Sequence, residues 1–227
     1  MRRYGVVTAV LYDVFSGERP FYRPGRIAAI ESLRLAPGDR VLVLGCGTGL
    51  DLPLLAAAVG PTGTIVAVDD SAVMLRRSGR RGRDAFGRPR PGWPRVRLVL
   101  ADLTRARSVL PPDEIPVDAV LAVNTLSLIR GWRRAWAVGI AAARPGARAA
   151  VADIGRPGPG HPVLAAWSRW ISAVGLGDLD ARPWTAVEED LERDRRWTFW
   201  SGHVQVRAGD LAWDGDPGPR PGGADGA

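Results

Sequence analysis

In Val41-Leu42-Val43-Leu44-Gly45-Cys46-Gly47-Thr48-Gly49 an uninterrupted apolar run gives way to glycine at every second position. Such a run suits a short strand buried on both faces of a parallel sheet. The glycines that follow permit a left-handed backbone and let a ligand approach the main chain at a helix N-terminus. A merely tight turn would not need three of them, so the stretch reads as a nucleotide-binding turn. Its spacing narrows the choice. A dinucleotide fingerprint places its third glycine three residues after the second, and Leu50 stands there. No Gly-Lys-Ser/Thr follows, which excludes a P-loop. Asp69 lies twenty residues beyond Gly49 at the end of the next apolar run, Thr-Ile-Val-Ala-Val. A carboxylate placed there can accept both hydroxyls of a ribose.

Working outward, the same alternation repeats. Strands are expected over residues 40–44, 64–68, 96–100, 119–123 and 147–152, with helices over 50–58, 71–77 and 132–143. Ser71 is a candidate N-cap. Pro37-Gly38 and Pro145-Gly146 read as stops. Upstream, residues 6–15 and 26–35 are predicted helical, the latter with Ile27, Ile30 and Leu33 on one face. Downstream come helices near 163–173 and 185–192, then two strands over 196–200 and 204–208 joined by Ser201-Gly202, a hairpin signal. The fold class expected is α/β, a doubly wound Rossmann-like seven-stranded sheet, mostly parallel, closed by an antiparallel C-terminal hairpin. Residues 1–36 would form an N-terminal helical lid, 37–213 the ligand-binding domain, and 214–227 a Gly/Pro/Asp-rich disordered tail.

The composition agrees with one folded domain. The chain has 227 residues, 46% hydrophobic and 24% charged, which excludes a disordered chain, a coiled coil or a collagen-like fibre. No apolar run reaches the roughly 18 residues of a spanning helix. Met1-Arg2-Arg3 and the apolar residues 6–11 begin like a signal peptide, but the run is short, Asp13 interrupts it and no cleavage site follows. With one cysteine, Cys46, no internal disulfide exists, so the expected compartment is the cytoplasm. All 31 cationic residues are arginine, a bias that matches GC-rich coding. The net charge of +7 favours anionic partners, and nine arginines fall within residues 76–97. That cluster reads first as a solvated Arg/Gly/Pro loop and second as an anion-binding patch, with peripheral contact to an anionic membrane as one form of the latter.

The ordered motifs resemble the class I S-adenosylmethionine-dependent methyltransferases over residues 40–209. VLVLGCGTG is similar to that family's first motif, VAVDDSAVML to its second and LVLADL to its third. DAVLAVNTLSLIRGW and AAARPGARAAVADIG are similar to its fourth and fifth. Less specific likeness at both ends points to bacterial small-molecule, lipid and quinone methyltransferases. The resemblance implies S-adenosyl-L-methionine as cofactor and S-adenosyl-L-homocysteine as product. It sets Gly45, Cys46, Gly47, Thr48 and Gly49 against the methionine part, and Asp69, with Asp70 beside it, at the ribose. Met74 would pack on the adenine, and Asp102 would accept from its amino group near Leu103. Asn124 would sit near the sulfonium. Tyr12 and Tyr22 would belong to the lid, with core packing an equal alternative for each.

Methyl transfer is an in-line displacement that needs little beyond positioning, and a base only where the nucleophile must lose a proton. The candidate bases are Asp153, at the end of the fifth strand, and His161 in the following loop, with His203 in a terminal strand as a third. A capping role competes for the first, and plain exposure for the second. No metal ligands are expected. Trp167 and Trp170, three apart, read as helix core, with an aromatic pocket for an apolar or cationic acceptor as the alternative. The favoured acceptor is a small molecule or lipid. A nucleic-acid acceptor is disfavoured, because Asn124-Thr125-Leu126-Ser127 replaces the Asn-Pro-Pro-aromatic of amino-methylating enzymes and no RNA-binding module is visible. The competing readings are a cofactor-binding scaffold or cyclase that transfers no methyl, and an RNA methyltransferase of another type. Leu50 and the antiparallel ending disfavour a nicotinamide dehydrogenase.

Overall fold

β1 (Arg40–Leu44) is the third strand, next to the central one, of a seven-stranded sheet of order β3-β2-β1-β4-β5-β7-β6 in a computed structural model. The structure describes residues 21–84, 87–106, 109–110, 116–173 and 177–212. The expected helix over residues 6–15, Tyr12 within it, and the tail over 214–227 lie outside these. β2 (Thr64–Asp69), β3 (Arg95–Leu100), β4 (Val117–Val123) and β5 (Ala143–Ile154) run parallel to β1. β6 (Leu191–Phe199) and β7 (Val204–Leu211) form the antiparallel hairpin, and β7 inserts between β5 and β6. The strand order reverses between β1 and β4, the switch point at which ligands of such sheets bind.

Val41 to Leu44 of β1 are all apolar because the two faces of the strand meet different cores. Val41 and Val43 pack with Ala29, Ile30 and Leu33 of the first helical segment, α1 (Arg23–Ser32), and with Leu52 and Leu55 of α2 (Leu52–Val59). Leu42 and Leu44 pack with Ala135 and Trp136 of α4 (Trp132–Ile140) and with Val187 of α6 (Pro183–Asp190). α3 (Ala72–Arg81) follows β2, and its N-cap is Ser71, whose Oγ accepts the Met74 N–H at 3.4 Å. α5 (Pro162–Ala173) links β5 to the closing segment. Among the described residues no helix is long and apolar enough to cross a membrane.

Several boundaries differ from the sequence reading. α4 ends at Ile140, and Pro145-Gly146 lies inside β5 instead of before it. Val117 pairs with Ala143 and Ala119 with Arg148, so the extra residues of β5 bulge outward, with Arg144, Pro145 and Gly146 exposed and Gly146 at φ +65°. Proline is tolerated there because a bulged residue donates nothing to the ladder. α1 starts at Arg23, earlier than expected, since Pro24 has the φ a first helical turn requires.

Candidate functional site

The turn after β1 is built from three glycines that are needed for different reasons. Gly45, Gly47 and Gly49 have φ of +66°, +53° and +81°, all costly for a residue with a Cβ. A Cβ on Gly45 would run into Thr125, whose Oγ1 donates to the Gly45 carbonyl at 2.8 Å. A Cβ on Gly49 would lie 2.5 Å from Ser78 Oγ. A Cβ on Gly47 would meet nothing within 4 Å. The chain therefore crowds the first and third glycines and leaves room over the second, where a ligand could lie against the backbone. Thr48 and Cys46 are buried. Burial, then the charge of Asp69, pushes the Cys46 thiol far up, so it stays protonated.

Asp69 closes this turn from the end of β2. Its Oδ2 accepts the Gly47 N–H and its Oδ1 the Ser71 N–H, both at 2.9 Å. Each oxygen keeps a lone pair for a further donor. Burial raises its pKa, and the two N–H groups oppose that. Asp70 is raised by burial and by the charge of Asp102, which places those two carboxylates close together. Asp102 is held low by the Thr104 hydroxyl at 2.6 Å and the Thr104 N–H at 2.9 Å. Its Oδ2 bears an exposed ion pair with Arg105 at 3.5 Å. Leu103 is buried beside it, and Met74 is buried in the first turn of α3. Asn124 ends β4 half-buried at φ +49°, a conformation asparagine tolerates better than most residues, with its N–H on the Ala152 carbonyl. Gly45 to Gly49, Asp69, Asp70, Asp102 and Asn124 thus share one edge of the sheet, at its switch point.

α1 reaches the same edge. Arg26 and Asp51 form a buried ion pair that ties α1 to the N-cap of α2. One turn earlier the Tyr22 hydroxyl lies 3.2 Å from His203 Nε2, while His203 Nδ1 lies 2.9 Å from the Gly155 carbonyl. A carbonyl only accepts, so Nδ1 carries the proton and Nε2 accepts from Tyr22. Burial holds the His203 pKa below its ordinary value. Tyr22 is therefore packed against the β5–β7 edge.

The other two candidate bases differ. Asp153 is 1% exposed, and its carboxylate accepts the Ser127 hydroxyl at 2.5 Å, the Ser127 N–H at 3.0 Å and the Ile154 N–H at 2.8 Å. Burial raises its pKa against those donors. It anchors the loop after β4. His161 is exposed just before α5. Of the two tryptophans of α5, Trp167 packs against the core as its spacing predicts and Trp170 does not. Trp170 is 48% exposed and stacks on Trp167 at 5.2 Å, and Trp167 lies 6.1 Å from Phe21. Phe21 also meets Trp200 edge-on at 5.4 Å and accepts the Trp200 indole N–H at its carbonyl. The Trp167 indole N–H is buried without a partner.

Thr125, Ser78, Ser127 and the Arg26–Asp51 pair did not emerge from the sequence. Each acts through a neighbour distant along the chain. The one usable signal for Thr125 was that β4 lies beside β1 in this topology.

The sheet order and this edge are similar in fold to solved Rossmann-like S-adenosylmethionine-dependent methyltransferases. Residues 41–146, just under half of the chain, match the family model described as a methyltransferase domain. A protein of transposon TN4556 from Streptomyces fradiae is 30% identical over 119 residues, 52% of this chain; the chain spans only 31% of that relative. A 2-phytyl-1,4-naphtoquinone methyltransferase of Synechococcus elongatus is 28% identical over 213 residues, covering 87% of this chain and 81% of the relative. Among solved structures, a SAM-dependent methyltransferase from Aquifex aeolicus matches with a TM-score of 0.59 and 18% identity, over 92% of this chain and all of that one, a likeness of fold.

Proposed function

We propose that the chain binds S-adenosyl-L-methionine across the switch point and transfers its methyl group to an apolar, ring-bearing small molecule. The observation that carries the cofactor reading is the open room over Gly47 beside a carboxylate that still has lone pairs to give. Gly45 to Gly49 would hold the methionine part, Asp69 the ribose hydroxyls, and Asp102 the adenine amino group through its less occupied Oδ2. When bound, the cofactor supplies a methyl on a positively charged sulfur. The chain's part is placement: Asn124 and the loop pinned by Asp153 would line the route along which a nucleophile approaches in line, about 3 Å from the methyl. The acceptor's lone pair forms the new carbon bond, and the broken S–C pair stays on sulfur. A phenol or hydroquinol acceptor loses its proton to solvent readily enough that no buried base is required. The aromatic group Phe21, Trp167, Trp170 and Trp200 supports an apolar acceptor, as does the quinone methyltransferase relative.

The test is calorimetric titration with S-adenosylmethionine, S-adenosylhomocysteine and NAD, followed by methyl transfer from labelled cofactor to a panel of naphthohydroquinols and phenols. Micromolar binding of both sulfur compounds with none of NAD, and S-adenosylhomocysteine released only with an aromatic acceptor, is the expected result. Binding without release on any acceptor would mark a scaffold or cyclase.

A further inference from the structure

Residues 76–97 contain nine arginines and a single carboxylate, Asp84. The rest of the chain carries twenty-two arginines against twenty-three carboxylates. The whole positive excess of the protein therefore sits on α3, the arm that follows it and β3. A coding bias toward arginine acts everywhere and does not produce that concentration.

The described residues of the arm on either side of positions 85–86 are tied to one another. Arg83 pairs with Pro89 in an isolated bridge, Arg83 Nη1 donates to the Gly87 carbonyl at 2.5 Å, and Arg90 Nε donates to the Arg83 carbonyl at 3.0 Å. Arg76, Arg80, Arg83, Arg88, Arg90 and Arg95 are exposed. Arg76 and Arg80 lie one helical turn apart, about 6 Å along α3. Among the described residues no carboxylate pairs with Arg76, Arg80, Arg83, Arg88 or Arg90, while Asp84 accepts the backbone N–H of Arg88.

We propose that this face docks the phosphate backbone of a nucleic acid, independently of the identity of the methyl acceptor. Guanidinium groups match phosphate oxygens two at a time, and a row of them displaces the counterions of a polyphosphate. A bilayer is the poorer fit. The exposed large apolar residues described are Leu100, Val163, Trp170 and Trp200, none of them within residues 76–97. Trp93 in the arm is covered by Arg90, 5.6 Å above its ring. The tryptophans suited to a membrane interface belong to the β5–β7 side, four strands from β3 or about 19 Å. The arm also enters β3 at its N-terminal end, whereas the glycine turn follows the C-terminal end of β1. The arm beyond α3 would thus hold a nucleic acid at the end of β3 opposite the methyl-transfer edge, as a tether and not as the acceptor, although α3 itself packs on the glycine turn, where Arg81 Nε donates to the Thr48 carbonyl at 2.7 Å.

The experiment is fluorescence anisotropy of a labelled 20-base-pair DNA duplex and a single-stranded RNA across 50 to 300 mM salt, with phosphatidylserine vesicle flotation in parallel. Five unpaired arginines predict a slope of log affinity against log salt near −4.5 on the duplex. Arg76→Glu/Arg80→Glu/Arg88→Glu should remove about three of those units and weaken binding at least about tenfold at 100 mM salt. Arg130→Glu/Arg134→Glu/Arg195→Glu, equally exposed residues with the same change in charge, should leave the slope in place. Unchanged S-adenosylhomocysteine affinity in both triple variants confirms that the fold and cofactor site are intact, so failure here is separable from failure of the methyltransferase reading. Equal loss in the two variants, no oligonucleotide binding at 50 mM salt, or binding to vesicles alone would overturn the proposal.

Discussion

Gly47 and Asp69 face each other across the turn, and their substitutions should separate binding from folding. Asp69→Ala removes the acceptor for two backbone N–H groups and, on the proposed reading, for the ribose. Cofactor affinity should fall by roughly 1.5–3 kcal/mol, the range for hydrogen bonds to a charged group. Titration calorimetry that returned an unchanged Kd would sink the ribose role. Gly47→Ala tests the room itself. Its Cβ meets nothing in the chain, so stability should drop only by the cost of a left-handed alanine, about 1–2 kcal/mol. Affinity for S-adenosylhomocysteine should fall at least about tenfold, because the added methyl occupies the ligand's place. Gly45→Ala should do the reverse, with a larger loss of stability from the clash with Thr125. Comparing urea midpoints with affinities for the two variants checks this, and a Gly47→Ala protein that bound normally would refute the cradle. These residues were legible in the sequence because the turn is a local motif: three glycines and a carboxylate at fixed offsets. Thr125 and Ser78, which make Gly45 and Gly49 obligatory, were not, because their contacts exist only after strands far apart in the chain have paired.

At the scale of elements, β1, β2 and β4 were legible because a strand covered on both faces is almost wholly apolar, and β3, an edge strand carrying Arg95 and Arg97, by its alternation of polar and apolar residues. The start of β5 was not. Pro145-Gly146 reads locally as a stop, yet pairing with β4 carries the strand through it as a bulge. Helical spacing likewise showed that Trp167 and Trp170 share a face without showing that Trp167 sits at the margin of the core beside Phe21 while Trp170 faces solvent. The junction of α1, β5 and β7 makes a prediction of its own. Tyr22, His203 and Gly155 are joined by a neutral imidazole held in one tautomer. Burial lowers the pKa of His203, so as pH falls the unfolded chain takes up this proton first, near 6.5. The contribution of His203 is complete above that pH and is lost as pH falls toward the folded-state value, by at most about 1.4 kcal/mol at pH 5.5. His203→Asn keeps a donor for the Gly155 carbonyl and cannot titrate. The stability gap between wild type and His203→Asn, measured by urea unfolding at pH 7.5 and 5.5, should narrow at the lower pH, while effects of all other groups cancel in the difference. A constant gap would mean that His203 is not held neutral.

At the scale of the molecule, the two cores meet at β1, and the glycine turn continues directly from it. A ligand at that turn touches residues carried by β1, β2, β3 and β4, so binding it should stabilise the folded chain as one unit. At one hundred times its Kd, S-adenosylhomocysteine should contribute about 2.7 kcal/mol. For a domain of 150–250 residues each kcal/mol moves Tm by about 2–4 °C, so the expected rise is roughly 5–10 °C, with NAD at the same concentration giving none. The rise should be a single shifted transition, because one continuous sheet joins every strand the ligand contacts. Gly47→Ala should start from a slightly lower Tm and lose most of the rise. Arg76→Glu/Arg80→Glu/Arg88→Glu should keep it in full, since these three side chains are exposed and the contacts of α3 with the turn are made by Ser78 and Arg81. Differential scanning fluorimetry of the three proteins with each ligand reads all of this in one experiment. A shift with NAD equal to that with S-adenosylhomocysteine would place the ligand elsewhere than across the glycine turn and Asp69.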